Sequence, residues 1–196
     1  MRKIIFPLLA IALAVVSLFA QDSTRVLIVY YSQRGHTAPM AKAVAEGASS
    51  VTKVAVKNVP VNAATNQDVL QVDAIILGSP VYNANVAPAL QKFINRWPFK
   101  GRPLKNKIGA AFVTAGGISA GEETVQLNLL KSMLIFGMIV VGGDDWQSAF
   151  GASAVTEEEP FNGKNVAPQF LRKAKELGRR VAQIAQRMKT KPARHE

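Results

Sequence analysis

From Arg25 onward, unbroken apolar runs alternate with stretches whose apolar residues recur every three or four positions. VLIVYY at 26–31 has no polar interruption, as expected of a strand covered on both faces of a parallel sheet. DAIILGS at 73–79, KIGAAFVT at 107–114 and MIVV at 138–141 read the same way, whereas KVAVKNV at 53–59 alternates like a more exposed strand. Between these runs, Met40, Ala43, Val44 and Gly47 keep helical spacing behind Thr37, which is placed to cap a helix with Pro39 in its first turn. Further helices are expected at 88–97, with Leu90, Phe93 and Ile94 inward, and at 122–136, ended by Gly137. A last one spans about 168–189. Five strands alternating with helices imply right-handed crossovers and a doubly wound α/β sheet with helices on both faces. No internal repeat or linker divides residues 21–196, which read as a single domain.

Residues 1–20 do not fit this alternation. Arg2 and Lys3 precede an uncharged apolar stretch from Ile4 to Ala20, followed by polar Gln21-Asp22-Ser23-Thr24. This is the pattern of a secretory leader cut after Ala20, so the expectation is an exported, periplasmic or secreted protein. The alternative is an uncleaved segment that tethers the chain to a membrane.

Composition narrows the chemistry. The chain of 196 residues has no cysteine and two histidines, which excludes disulfides, thiolate metal sites and a cysteine nucleophile, and no metal site is expected. A cofactor is therefore the expected carrier of any reaction. The formal net charge of +11 is concentrated near the C-terminus: residues 169–196 hold nine Lys and Arg against Glu176 and Glu196. The body from 21 to 168 is close to neutral, and no motif or aromatic platform supports nucleic-acid binding.

In a doubly wound sheet, ligands bind outside the carboxyl ends of the strands, so those turns matter most. The first, Ser32-Gln33-Arg34-Gly35-His36-Thr37, is neither a dinucleotide fingerprint nor a Walker loop. It offers two hydroxyls, a cation, a freely turning glycine and an adjacent helix N-terminus, which together suit a phosphate. The same residues also read as an ordinary capped turn. The second, around Pro80-Val81-Tyr82-Asn83, supplies an aromatic wall. The third, Thr114-Ala115-Gly116-Gly117, brings the backbone close enough to aim N–H groups at the polar edge of a flat ring. Together they suit a mononucleotide with a large planar head.

Those three turns in that order, as YYS-x-x-GHT, GSPVYNAN and FVTAGG followed by GEET, resemble the flavodoxin-like fold. They are most similar to WrbA-type NAD(P)H:quinone oxidoreductases, which bind FMN. The resemblance implies a five-stranded sheet of order 2-1-3-4-5, with the FMN phosphate on Ser32–Thr37 and the ring between Pro80–Asn83 and Thr114–Gly117. It implies NAD(P)H as co-substrate, a quinone or similar small acceptor, and a homodimer or homotetramer. Tyr82 would shape the substrate slot, and the aromatic that reaches a neighbouring subunit's flavin would fall near Trp97 or Phe99. His36 reads as structural rather than catalytic. The competing readings are a non-catalytic electron carrier of the same fold and an exported binding module without flavin.

The last helix carries an apolar stripe through Phe170, Leu171, Ala174, Leu177, Val181, Ile184, Ala185 and Met188, with Arg172, Lys173, Lys175, Arg179, Arg180 and Arg187 largely off it. The stripe is expected to close the sheet, leaving a solvated cationic face. The same face allows peripheral contact with anionic lipid.

Overall fold

The computed structural model describes residues 23–190. The leader expected at residues 1–20 lies outside the described residues. The sheet is built from β1 (Thr24–Tyr30), β2 (Val54–Pro60), β3 (Ala74–Tyr82), β4 (Asn85–Val86), β5 (Ile108–Ala115), β6 (Ile139–Val140) and β7 (Ala152–Val155). The helices are α1 (Thr37–Ser49), α2 (Asn66–Leu70), α3 (Pro88–Ile94), α4 (Glu122–Ile135) and α5 (Pro168–Thr190).

The order β2-β1-β3-β5-β6, parallel throughout, is the expected 2-1-3-4-5 arrangement. The strand count differs: the sheet has seven strands, not five. β4 folds back antiparallel on the end of β3 through a two-residue turn, with Val81 opposite Val86. The fifth position is divided between two short strands. β6 pairs with β5 at Ile108 and Gly109, then the chain leaves the edge and returns as β7 opposite Phe112–Ala115. An edge strand has only one neighbour, so such a break costs less pairing than it would inside the sheet.

Alternate residues of each buried strand face opposite layers. Val26 and Ile28 meet Met40 and Val44 of α1 and Leu177 and Val181 of α5. Leu27 and Val29 meet Leu90 and Phe93 of α3 and Leu129 and Met133 of α4. These side chains are essentially inaccessible, and each contributes roughly 1.5–3 kcal/mol by burial. Most of the α5 stripe is spent here: Ala174, Leu177, Val181 and Ala185 are buried and Phe170, Leu171 and Ile184 pack against this layer, while Met188 stays exposed. α4 stops where Gly137 takes a φ of 77°, and the Gly137 and Met138 N–H groups donate to Leu134 and Met133 carbonyls. α2 was not foreseen. It is short and held by a capping box in which Thr65 and Asp68 bond reciprocally.

The basic cluster Arg96, Lys100, Arg102, Lys105 and Lys107 leads into β5, at the sheet end away from the carboxyl-end turns. Lys107 Nζ donates to the Leu70 and Val72 carbonyls, and burial lowers its pKa, with Asp73 opposing. Of the two aromatics expected near a neighbouring subunit, Phe99 is 58% exposed, whereas Trp97 faces inward. It is buried against Phe93 and Phe136, with ring centroids 5.8 and 5.3 Å away, so it belongs to this chain's own core. No helix among the described residues is long and apolar enough to cross a membrane.

Candidate functional site

The carboxyl ends of β1, β3 and β5 open into a cleft of about 300 Å³. Eleven of the fourteen residues singled out from the sequence line it: Gln33, Arg34, His36 and Thr37; Pro80, Val81, Tyr82 and Asn83; and Thr114, Ala115 and Gly116. Ser32, Gly35 and Gly117 belong to the same turns but are not part of this lining. Ser32 Oγ accepts from Ala38 N–H at 3.1 Å, and Gly35 turns the chain at a φ of 90°. A side chain on Gly117 would collide with the Glu158 carboxylate, 2.7 Å from the position of its Cβ.

The first turn differs from the expected capping. His36, not Thr37, is the N-cap of α1, and its side chain makes no capping bond. Thr37 is already helical, and its buried hydroxyl meets that of Thr114 at 2.9 Å, tying the first turn to the third. The α1 terminus is thus left without a cap from its own N-cap residue and without an acid in its first turn. Such an end attracts an anion through its N–H groups and the helix dipole.

Two further contacts bridge the first turn to its neighbours. Tyr82 Oη donates to Gln33 Oε1 at 2.5 Å while its ring packs edge-on to Tyr31, centroids 6.1 Å apart. Desolvation, with help from Tyr31, raises the Tyr82 pKa. On the other side, Arg34 Nη1 donates to Glu157 Oε1 at 2.6 Å, and that bond and charge raise the Arg34 pKa. Ser79 braces the second turn by accepting from Ala87 N–H at 2.9 Å. The turn is tight: Asn83 and Ala84 take φ values of 49° and 59°.

Thr156 and Glu157 also line the cleft and were missed in the sequence. They reach it because β7 places them beside the third turn. Thr156 N–H donates to the Ala115 carbonyl and Glu157 N–H to that of Gly116, at 3.0 and 2.9 Å. Glu158 Oε2 accepts from Ile118 N–H at 2.6 Å. A second edge strand at ASAV would have revealed them, but four small residues carry little strand signal.

The cleft fits FMN by its donor set. A helix start whose N-cap residue gives no side-chain bond, where Ser32 Oγ takes only the Ala38 N–H, gathers with the Thr37 hydroxyl and the Arg34 guanidinium where a phosphate would sit. A proline, a valine and a tyrosine form the apolar wall that a ring needs. Gly116 carries no side chain where the third turn closes the far wall.

Residues 24–153 match the NADPH-dependent FMN reductase family. The chain belongs to that family. It is 30% identical over 198 residues to the NAD(P)H dehydrogenase (quinone) 3 of Rhizobium meliloti (strain 1021), covering 84% of this chain and 93% of that one. It is also 30% identical over 169 residues to a flavodoxin of Aquifex aeolicus, covering 81% and 85%. Among solved structures, a WrbA-like flavodoxin from Agrobacterium tumefaciens is similar at a TM-score of 0.70 and 23% identity, over 84% of this chain and 99% of its own. That last likeness is one of fold, and the fold is flavodoxin-like.

Proposed function

We propose that this family member holds FMN in the cleft and uses it to pass a hydride from NAD(P)H to a quinone or similar acceptor. The observation that carries the reading is the meeting of the α1 N-terminus, the Tyr82 wall and the Gly116 turn in one cleft. When bound, FMN supplies the redox chemistry, accepting a hydride and giving up two electrons.

The protein's own residues have simpler tasks. The Ser32 and Thr37 hydroxyls, the first N–H groups of α1 and the Arg34 guanidinium bind the phosphate. Pro80, Val81 and Tyr82 exclude water from one side of the slot, and Thr37–Thr114 sets the spacing between its two walls. His36 needs no proton-transfer role in this scheme and serves as part of the turn.

Residues 1–20 support export with cleavage after Ala20, which would place the reaction outside the cytoplasm. An acceptor quinone dissolved in a membrane would then make the cationic outer face of α5 useful, by drawing the enzyme to anionic lipid.

The test is anaerobic mixing of the FMN-loaded protein with NADH or NADPH while following flavin absorbance. Bleaching that a quinone reverses is expected. A bound flavin that neither nucleotide reduces would replace the reductase with an electron carrier, and a protein that retains no flavin would discard the cofactor reading.

A further inference from the structure

The excursion between β6 and β7, residues 141–151, is closed on itself by hydrogen bonds. Gly143 N–H donates to the Ser148 carbonyl and Gly151 N–H to the same oxygen, both at 2.8 Å. Ser148 Oγ donates to Asp145 Oδ1 at 3.0 Å. Any side chain at Gly142 would place its Cβ 1.8 Å from the Ala149 carbonyl oxygen, so the loop closes too tightly for anything but glycine. At its tip stands Trp146, 84% exposed, with Phe150 39% exposed close behind.

The loop is fastened to the outer flank of α5 by cations. Asp144 pairs with Arg179 at 2.7 Å and Arg180 at 3.2 Å, and Lys173 Nζ donates to the Gln147 carbonyl at 3.1 Å. Arg172 and Lys175 are exposed on the same helix, whose one acid is Glu176. The carboxylates near the tip, Asp144 and Asp145, are outnumbered by these cations.

The apolar stripe of α5 is buried against the sheet and cannot enter a bilayer. The helix therefore offers charge, and the loop offers the exposed indole that charge alone lacks. We infer that Trp146 is the interfacial anchor of a membrane-docking face formed by the 141–151 loop and the cationic flank of α5. The occupant is an anionic lipid surface. Cations provide the attraction, and the indole, apolar in body with one N–H donor, settles at headgroup level. Trp146 is flanked in sequence by polar Asp145, Gln147 and Ser148, so it stands as a single insertion rather than the centre of an apolar docking patch. The inference rests on the reading of α5 as lipid-facing given above.

The chain has two tryptophans, and the other, Trp97, is 4% exposed, so emission changes on lipid binding report Trp146. The FMN-loaded mature chain, residues 21–196, is mixed with phosphatidylcholine vesicles, with or without phosphatidylglycerol, each also carrying brominated lipid as a contact quencher. A blue shift and quenching are expected on the anionic vesicles alone. They should be lost in 1 M salt, where the screening length falls from ~10 to ~3 Å. Trp146→Ser should lower co-sedimentation with anionic vesicles severalfold, and Arg172→Gln with Lys175→Gln should do the same. Salt-sensitive co-sedimentation without quenching would keep the lipid-facing helix and overturn the Trp146 anchor. No co-sedimentation at all would overturn both. Equal quenching on neutral vesicles would overturn the charge-guided face, as would a shift produced by an acidic peptide but not by vesicles.

Discussion

Thr37 and Thr114 are 77 residues apart in sequence, yet their buried hydroxyls meet at 2.9 Å and join the first and third turns of the cleft. One hydroxyl must donate and the other accept, so each satisfies its neighbour away from water. Replacing one of them leaves the other unpaired. Thr114→Val is therefore expected to cost about 1–3 kcal/mol, read as a lower Tm, and to weaken FMN binding. Thr37→Val with Thr114→Val should recover much of the stability, because no orphan remains, but not the FMN affinity. Recovery of both would show that the pair has no role in the site.

The Arg34–Glu157 pair makes a prediction about affinity alone. Both side chains are solvent-exposed, so little stability is expected from the contact. Arg34, however, is the one guanidinium in the cleft lining, and the Glu157 carboxylate beside it both engages its Nη1 and repels an incoming phosphate. Glu157→Gln should tighten FMN binding severalfold in a fluorescence titration at low salt, and Arg34→Ala should weaken it. Both effects should shrink as salt rises. Opposite directions for the two variants are the signature; equal weakening would mean that the pair is needed intact.

How much of this was legible in the sequence depended on local signal strength. β1, β3 and β5 announce themselves because burial on both faces demands an unbroken apolar run. The three turns could be placed because they follow those runs directly. The divided fifth strand was only half visible. Met138–Val141 has strand character, but Ala152–Val155 is small and lies beyond a Gly-Gly-Asp-Asp turn. With β7 unseen, Thr156 and Glu157 had no route to the cleft. The resemblance left Trp97 and Phe99 as alternatives for an outward-facing aromatic, and sequence alone could not separate them: Phe93, Phe136 and Trp97 fill one corner of this chain's core, while Phe99 is exposed. Thr37 was read as a cap from its position alone, since nothing local reveals that Thr114 competes for its hydroxyl.

Asp68 gives the clearest pH dependence. The hydrogen bond from Lys57 holds its carboxyl below the usual range; burial opposes this, and the Thr65 backbone and hydroxyl reinforce it. Because the folded pKa is depressed, the unfolded chain binds the proton first on acidification. The contribution is thus fully present above the unfolded value and disappears as pH falls through the folded one. Asp68→Asn should cost about 0.5–1 kcal/mol near neutral pH. Its Tm deficit against the unmodified protein should close as acidification carries the pH below the ordinary carboxylate range. A deficit that stays constant through that range would assign the loss to packing rather than charge.

Gly47 and Gly178 decide how closely α1 and α5 approach. A Cβ on Gly47 would lie 1.8 Å from the Lys175 carbonyl oxygen, and one on Gly178 would lie 1.9 Å from that of Val44. Each missing side chain is thus replaced by the backbone of the other helix. Two effects of substitution to alanine oppose each other. In an isolated helix, alanine is better than glycine by about 1 kcal/mol. Here the new methyl meets peptide backbone, which cannot rotate aside, so the helices must separate, and overpacking of this kind costs about 1–3 kcal/mol or more. The steric term should win at both positions. Gly47→Ala and Gly178→Ala are each expected to lower Tm, and the double variant should lose less than the sum, because one separation relieves both clashes. A rise in Tm for either variant would mean that propensity prevails and the helices are free to slide apart. Since the N-terminus of α1 also lines the cleft, the destabilised variants should bind FMN more weakly too.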